Sequence, residues 1–167
     1  YYSQLIAIAH GMDYEESEQL RHVAPMHDIG KIGIPDHIML KPGKLDAKEW
    51  EIMTTHPQIG AKLIGEHQCK ILENAKIVAL THHEKWDGSG YPRGLSGEDI
   101  PLFGRIVAIA DVFDALTTNR PYKEAWPIER AIEEIERGSG KHFDPALLPA
   151  FRQALPEMSK VMKKYTD

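Results

Sequence analysis

In the stretch LRHVAPMHDIGKIG, His27 and Asp28 stand side by side, and Lys31 follows three residues after the carboxylate. An ionised carboxylate in an apolar segment is costly to bury unless a cation compensates it, and a helical path would put all three side chains on one face. The pair alone admits two readings, a metal site or a hydrogen-bonded core histidine. Asp111 raises the same question inside RIVAIADVFDALTT, where Val107 and Ala108 lie a turn before it and Ala115 a turn after. Asp114, one turn on, reads better as a helix-stabilising or ligand-supporting carboxylate. His56 precedes Pro57 at a helix junction, and its H-P-x-x-G setting is weak by itself, with a capping histidine as the plain alternative. His82 and His83 are adjacent, so on a helix their rings stand about 100° apart. Such rings do not share one apolar pocket, but they can approach neighbouring ions from different sides.

Taken together, His27, Asp28, His56, His82, His83 and Asp111 offer only imidazole and carboxylate donors. That set suits Fe, Mn, Ni or Zn ions in an open, catalytic arrangement rather than a closed thiolate site, with Asp28 able to bridge two ions. The chemistry typical of such a cluster is phosphate-ester hydrolysis, in which ions generate a hydroxide nucleophile and clamp the attacking and leaving oxygens. Of the nine histidines, His10, His22, His37, His67 and His142 lack a ligand context. His142, in HFDP, reads as part of the turn before the last helix. Glu84 has no assigned role, its plain reading being an acceptor that orients an imidazole.

The elements that must position these residues are helical, because no segment sustains the two-residue alternation of a half-buried strand. The spacing of Asp13 and Glu16 predicts a capping box opening a helix to about Ile29 or Gly30, kinked at Pro25. Asp46 and Glu49 repeat the device for a helix through Trp50 and Met53 toward His56. Further helices are predicted from Pro57 to about Glu66, Ile71 to His82, Leu102 to Thr118, Pro127 to Gly138, and from Asp144-Pro145 onward. The Gly- and Pro-rich stretch from Glu84 to Ile100 is predicted as a long ordered loop, which in a compact domain is usually functional.

The 167 residues suit one all-α domain, with 42% hydrophobic and 27% charged residues. A net charge of −5 argues against a nucleic-acid polymer as partner, though a small anion remains compatible. No apolar run approaches the ~20 residues of a membrane span. The single cysteine, Cys69, fits a reducing, cytoplasmic setting and is expected to be inert.

Along the chain run HDIGKIGIPD (27–36), HP (56–57), HHEKWDGSGYP (82–92), ADVFDALT (110–117), NRPYK (119–123) and HFDP (142–145). In that order they closely resemble the motifs of the HD-GYP family of bacterial cyclic di-GMP phosphodiesterases, from about Leu20 to Phe151. The resemblance implies an HD-type helical bundle with two or three divalent transition metal ions, Fe or Mn foremost, held by His27, Asp28, His56, His82, His83 and Asp111. It implies Lys31 at the scissile phosphate beside Asp28, and Arg120 and Lys123 on substrate phosphate oxygens, where a forked donor and a point charge suit the task. Gly90, Tyr91 and Pro92 form the signature loop, with Tyr91 a candidate substrate contact. The implied reaction is opening of cyclic di-GMP to linear pGpG, with onward cleavage to GMP left open. Another dinucleotide such as cyclic GMP-AMP, or a non-catalytic interaction module, are the alternatives. Diguanylate cyclase (GGDEF) domains are the implied protein partners, with room for a homodimer. Family members also carry a glutamate and a histidine upstream of the HD pair. Those positions would fall before Tyr1, so residues 1–167 are expected to form a single HD-GYP domain lacking its N-terminal metal-ligand helix.

Overall fold

The computed structural model describes residues 1–119 and 124–165. Among them all regular structure is helical, apart from isolated bridges at Asp87–Ser96 and Ser139–Phe143. Helix α1 spans Tyr2–Ala9, a segment for which the sequence offered no cap: Tyr1 at its N-cap makes no side-chain bond to the helix. It is held instead by burial of Ile6 and Ala7. Helix α2 (Tyr14–Val23) is opened by Asp13, which accepts the Glu16 amide proton at 2.8 Å.

Here the structure departs from the expected kinked helix. α2 ends at Val23, and Ala24–Gly33 winds as a 3₁₀ helix with Pro25 in its first turn. Proline has no amide proton to give, and its ring clashes with the carbonyl four residues back, so α-helical bonding cannot pass it without strain. A winding of three residues per turn eclipses positions three apart, which sets Lys31 over Asp28.

A short helix α3 (Asp36–Met39) leads to α4 (Ala47–Met53), where both halves of the predicted capping box form. Asp46 accepts the amides of Lys48 and Glu49, and Glu49 accepts that of Asp46. Helix α5 (His56–Ile64) packs against the 3₁₀ segment and against α6 (Lys70–Thr81). The first of these contacts is backbone on backbone. A Cβ on Gly30 would lie 1.8 Å from the His56 carbonyl oxygen and 2.4 Å from the Gly60 nitrogen.

Helix α7 (Leu102–Thr117) is apolar around most of its surface and runs through the core, as an all-round hydrophobic helix must. Its Phe113 meets Tyr2 and Phe151 edge to face, with centroids 5.4 and 5.6 Å apart. Burying each such large side chain contributes about 1.5–3 kcal/mol. Helices α8 (Ile128–Arg137) and α9 (Leu148–Tyr165) complete the bundle, joined by a 3₁₀ turn at Pro145–Leu147 that Asp144 caps. No helix among the described residues is long and apolar enough to cross a membrane.

Candidate metal centre

Three helix ends bring the histidines together. His27 lies on the 3₁₀ segment just past α2, His56 at the junction of α4 and α5, and His82 caps α6. In each, the ring Nδ1 bonds a carbonyl three or four residues back: His27 to Ala24 at 2.7 Å, His56 to Met53 at 2.8 Å, and His82 to Val78 and Ala79 at 3.1 Å. A carbonyl oxygen only accepts, so Nδ1 carries the proton, and in a neutral ring Nε2 is left with a lone pair.

Those lone pairs converge on Asp28. His56 Nε2 lies 3.3 Å from Asp28 Oδ1 and 3.3 Å from His82 Nε2, while His82 Nε2 is 3.8 Å from the same oxygen. Asp28 Oδ1 is buried and has no hydrogen-bond partner. Two acceptor nitrogens therefore face one another and a carboxylate oxygen, with no donor supplied. A cation resolves that arrangement. Donor atoms of Asp28, His56, His82 and His83 all lie within 4.8 Å of one another, so the residues fit a divalent metal ion.

The other Asp28 oxygen serves a second group. Oδ2 lies 2.5 Å from Lys31 Nζ and 3.3 Å from His27 Nε2, and His27 Nε2 is 3.5 Å from Asp111 Oδ1. Asp28 thus stands between the two halves of the cluster, as expected of a bridging ligand. Burial pushes the His27 imidazole down, but the Asp111 and Asp28 carboxylates outweigh it and raise its pKa to about 10. Burial pushes Asp28 up, and His27, His82 and Lys31 more than reverse that, holding it well below the usual carboxylate range. Asp111 is lowered likewise, burial opposing and His27 winning. A proton on His27 thus does between these acids what a metal ion would do. His83, by contrast, is pushed down to about 3 by burial and by His82 and His56.

Two expectations differ from the structure. On a helix, His82 and His83 would diverge, but α6 ends at Thr81 and the turn that follows brings their rings to 4.0 Å. Both enter the same four-residue group. Glu84 does not orient an imidazole. It is buried, and its carboxylate accepts the amides of Arg93 (2.8 Å) and Leu95 (3.0 Å), clamping the loop to the end of α6. That clamp joins residues nine and eleven positions apart inside one irregular loop, so no periodic pattern announces it. Gly90 packs so closely on this turn that a Cβ would fall 2.5 Å from the Glu84 Cα. Arg120 and Lys123 lie outside the described residues.

Tyr91 stacks on His83, with centroids 4.7 Å apart and planes at 27°, and its phenol is raised by burial and by the Asp28 and Asp111 charges. Trp50, which the sequence offered only as a helix residue, meets Tyr91 nearly perpendicularly at 6.1 Å. Asp114 lies off the cluster, facing a cavity between the ends of α1, α7 and α9.

An all-helical bundle with an adjacent His-Asp pair at the centre of converging imidazoles defines a class. Residues 2–147 match the HD domain family, and the chain belongs to that family, in the HD-GYP branch its motifs mark. It is 48% identical over 166 residues to 3'3'-cGAMP-specific phosphodiesterase 2 of Vibrio cholerae, covering 99% of this chain and 32% of that protein. It is 48% identical over 162 residues to a cyclic di-GMP phosphodiesterase of Thermotoga maritima, covering 97% of this chain and 44% of the relative. The chain thus spans less than half the length of these relatives. Its fold is shared with an HDG"Y"P protein from Bdellovibrio bacteriovorus, at TM-score 0.70 and 24% identity, over 95% of this chain and 49% of the other.

Proposed function

We propose that this chain is the catalytic part of a metal-dependent phosphodiesterase that opens cyclic di-GMP to linear pGpG. The observation that carries the reading is the buried Asp28 Oδ1, unpartnered and faced by the Nε2 atoms of His56 and His82, with Lys31 held 2.5 Å from the opposite oxygen. The name of the Thermotoga maritima relative supports the substrate. Two or three divalent ions, Fe or Mn foremost with Ni or Zn as alternatives, would be held by His27, Asp28, His56, His82, His83 and Asp111. When bound, such ions activate water and neutralise charge on phosphate oxygens.

The residues divide the remaining work. The three carbonyl-anchored imidazoles hold fixed tautomers, so their donor atoms need no reorganisation when substrate arrives. Lys31, positioned by Asp28, presents an ammonium group to a phosphate oxygen gaining charge. Arg120 and Lys123 bind the outer phosphate oxygens, and Tyr91 walls the site beside His83. Residues 1–167 act in this reading as one cytoplasmic domain, and the loop at Gly90, Tyr91 and Pro92 offers a surface for diguanylate cyclase domains.

Incubating the Mn²⁺- or Fe²⁺-supplied protein with cyclic di-GMP and separating products chromatographically tests the proposal. It predicts pGpG, and its loss together with bound metal in Asp28→Ala. Retention of both metal and turnover in that variant would sink it. A second substrate, 3′3′-cyclic GMP-AMP, is favoured by the name of the Vibrio cholerae relative. Competing the two nucleotides at equal concentration decides between them by their ratio of kcat/KM.

A further inference from the structure

Trp50 sits on α4 at the rim of the metal centre and keeps 51% of its surface in water. An exposed apolar side chain alone means little, since most protein surfaces carry some. What sets Trp50 apart is an unbroken aromatic path to the cluster. Its ring contacts Tyr91 at 6.1 Å, and Tyr91 stacks on His83 at 4.7 Å. The indole centre is therefore at most about 11 Å from the His83 ring. The near-perpendicular 80° packing on Tyr91 leaves at least one indole face uncovered by that ring.

We propose that Trp50 is the platform on which a nucleobase of the substrate stacks while its phosphate occupies the cluster. The proposal rests on the reading of this chain as a dinucleotide phosphodiesterase and adds the element that distinguishes a nucleotide from any other phosphate ester. Phosphate recognition is blind to the base, whereas an aromatic face accepts any purine and rejects a ligand that lacks one. Stacking also tolerates exchange of guanine for adenine, so a site built this way binds both cyclic di-GMP and its mixed GMP-AMP analogue.

The probes are GMP and its base-free counterpart, ribose 5-phosphate, titrated calorimetrically into Mn²⁺-loaded protein, with KM for cyclic di-GMP measured in parallel. Base stacking on an aromatic side chain corresponds to roughly a 5- to 150-fold change in affinity. Trp50→Ala is expected to weaken GMP by that factor, to raise KM for cyclic di-GMP similarly, and to change ribose 5-phosphate less than about twofold. Trp50→Phe, which keeps an aromatic face, is expected to recover most of the loss. Equal losses for both probes, or none for GMP, overturn the proposal. Turnover of cyclic di-GMP with a KM indifferent to Trp50→Ala overturns the stacking while the phosphodiesterase reading stands. Trp50-dependent GMP binding in a protein that opens no cyclic dinucleotide does the reverse.

Discussion

Gly30→Ala tests whether backbone contact, rather than the ligands alone, assembles the centre. The added Cβ would lie 1.8 Å from the His56 carbonyl oxygen, against about 3.4 Å for ordinary contact, so the 3₁₀ segment and α5 must part by about 1.6 Å. Both obstructing atoms are backbone, so no rotamer change relieves the clash. Overpacking typically costs 1–3 kcal/mol, and with nothing flexible to yield the upper end applies, about 3 kcal/mol. For a chain of 167 residues that lowers the melting temperature by roughly 6–12 °C. The same movement separates Asp28 from His56, now 3.3 Å apart between ligand atoms, whereas metal-ligand distances tolerate only about 0.2 Å. Metal affinity should fall at least about 10- to 100-fold, as on losing the support of a ligand. Gly33→Ala is the control. Its Cβ would meet the Ile59 side chain at 2.8 Å, which can rotate away, so metal content should persist and the melt shift less. Calorimetry and elemental analysis read both effects, and Gly30→Ala with parental melting temperature and metal stoichiometry would refute the reasoning.

Glu84→Ala leaves the Arg93 and Leu95 amides without their acceptor, a cost of about 1–3 kcal/mol for each group left buried, and should raise amide hydrogen exchange at both positions before it affects α7. Lys31→Ala should retain metal while lowering kcat for cyclic di-GMP by roughly 10²- to 10³-fold, as for loss of a donor to developing oxyanion charge. His142 is lowered by burial and by Lys85, so its folded pKa lies below the unfolded value. The unfolded chain then takes up the proton first, and stability is lost as pH falls from about 6.5 toward the folded pKa. In metal-saturated protein, His142→Gln should show a smaller drop in melting temperature between about pH 6.5 and 5 than the parent.

The residues of the candidate centre stood out because their types are conspicuous: carboxylates in apolar segments and paired imidazoles demand a reason wherever they occur. The capping box of α4 was legible because its bonds join residues three apart. Elements held by long-range packing were not. α1 has no side-chain cap and an apolar face set by the α7 and α9 it packs on. The 3₁₀ winding after Val23 was hidden because α and 3₁₀ segments share almost the same apolar pattern, and only proline's missing proton separates them here. Convergence of His82 with His83 depended on a helix end one residue earlier than expected, an error no larger than the usual uncertainty of helix ends. Yet it changes which donor atoms lie close together.

The last carbonyls of a helix lack intrahelical partners and concentrate the negative end of its dipole. His56 and His82 each bond a carbonyl in the last turn of α4 and of α6 with Nδ1, so two helix ends stand beside the place where their Nε2 atoms meet. The bonds that fix the tautomers also aim the two nitrogens at Asp28. The arrangement predicts that His56 and His82 are Nδ1–H tautomers in metal-free protein at neutral pH, because protonation at Nε2 would abandon a buried carbonyl. Long-range ¹H–¹⁵N correlation distinguishes the two ring nitrogens directly. An Nε2–H tautomer on both rings would mean that the carbonyl contacts do not orient them, and the cluster would then owe its geometry to the metal alone.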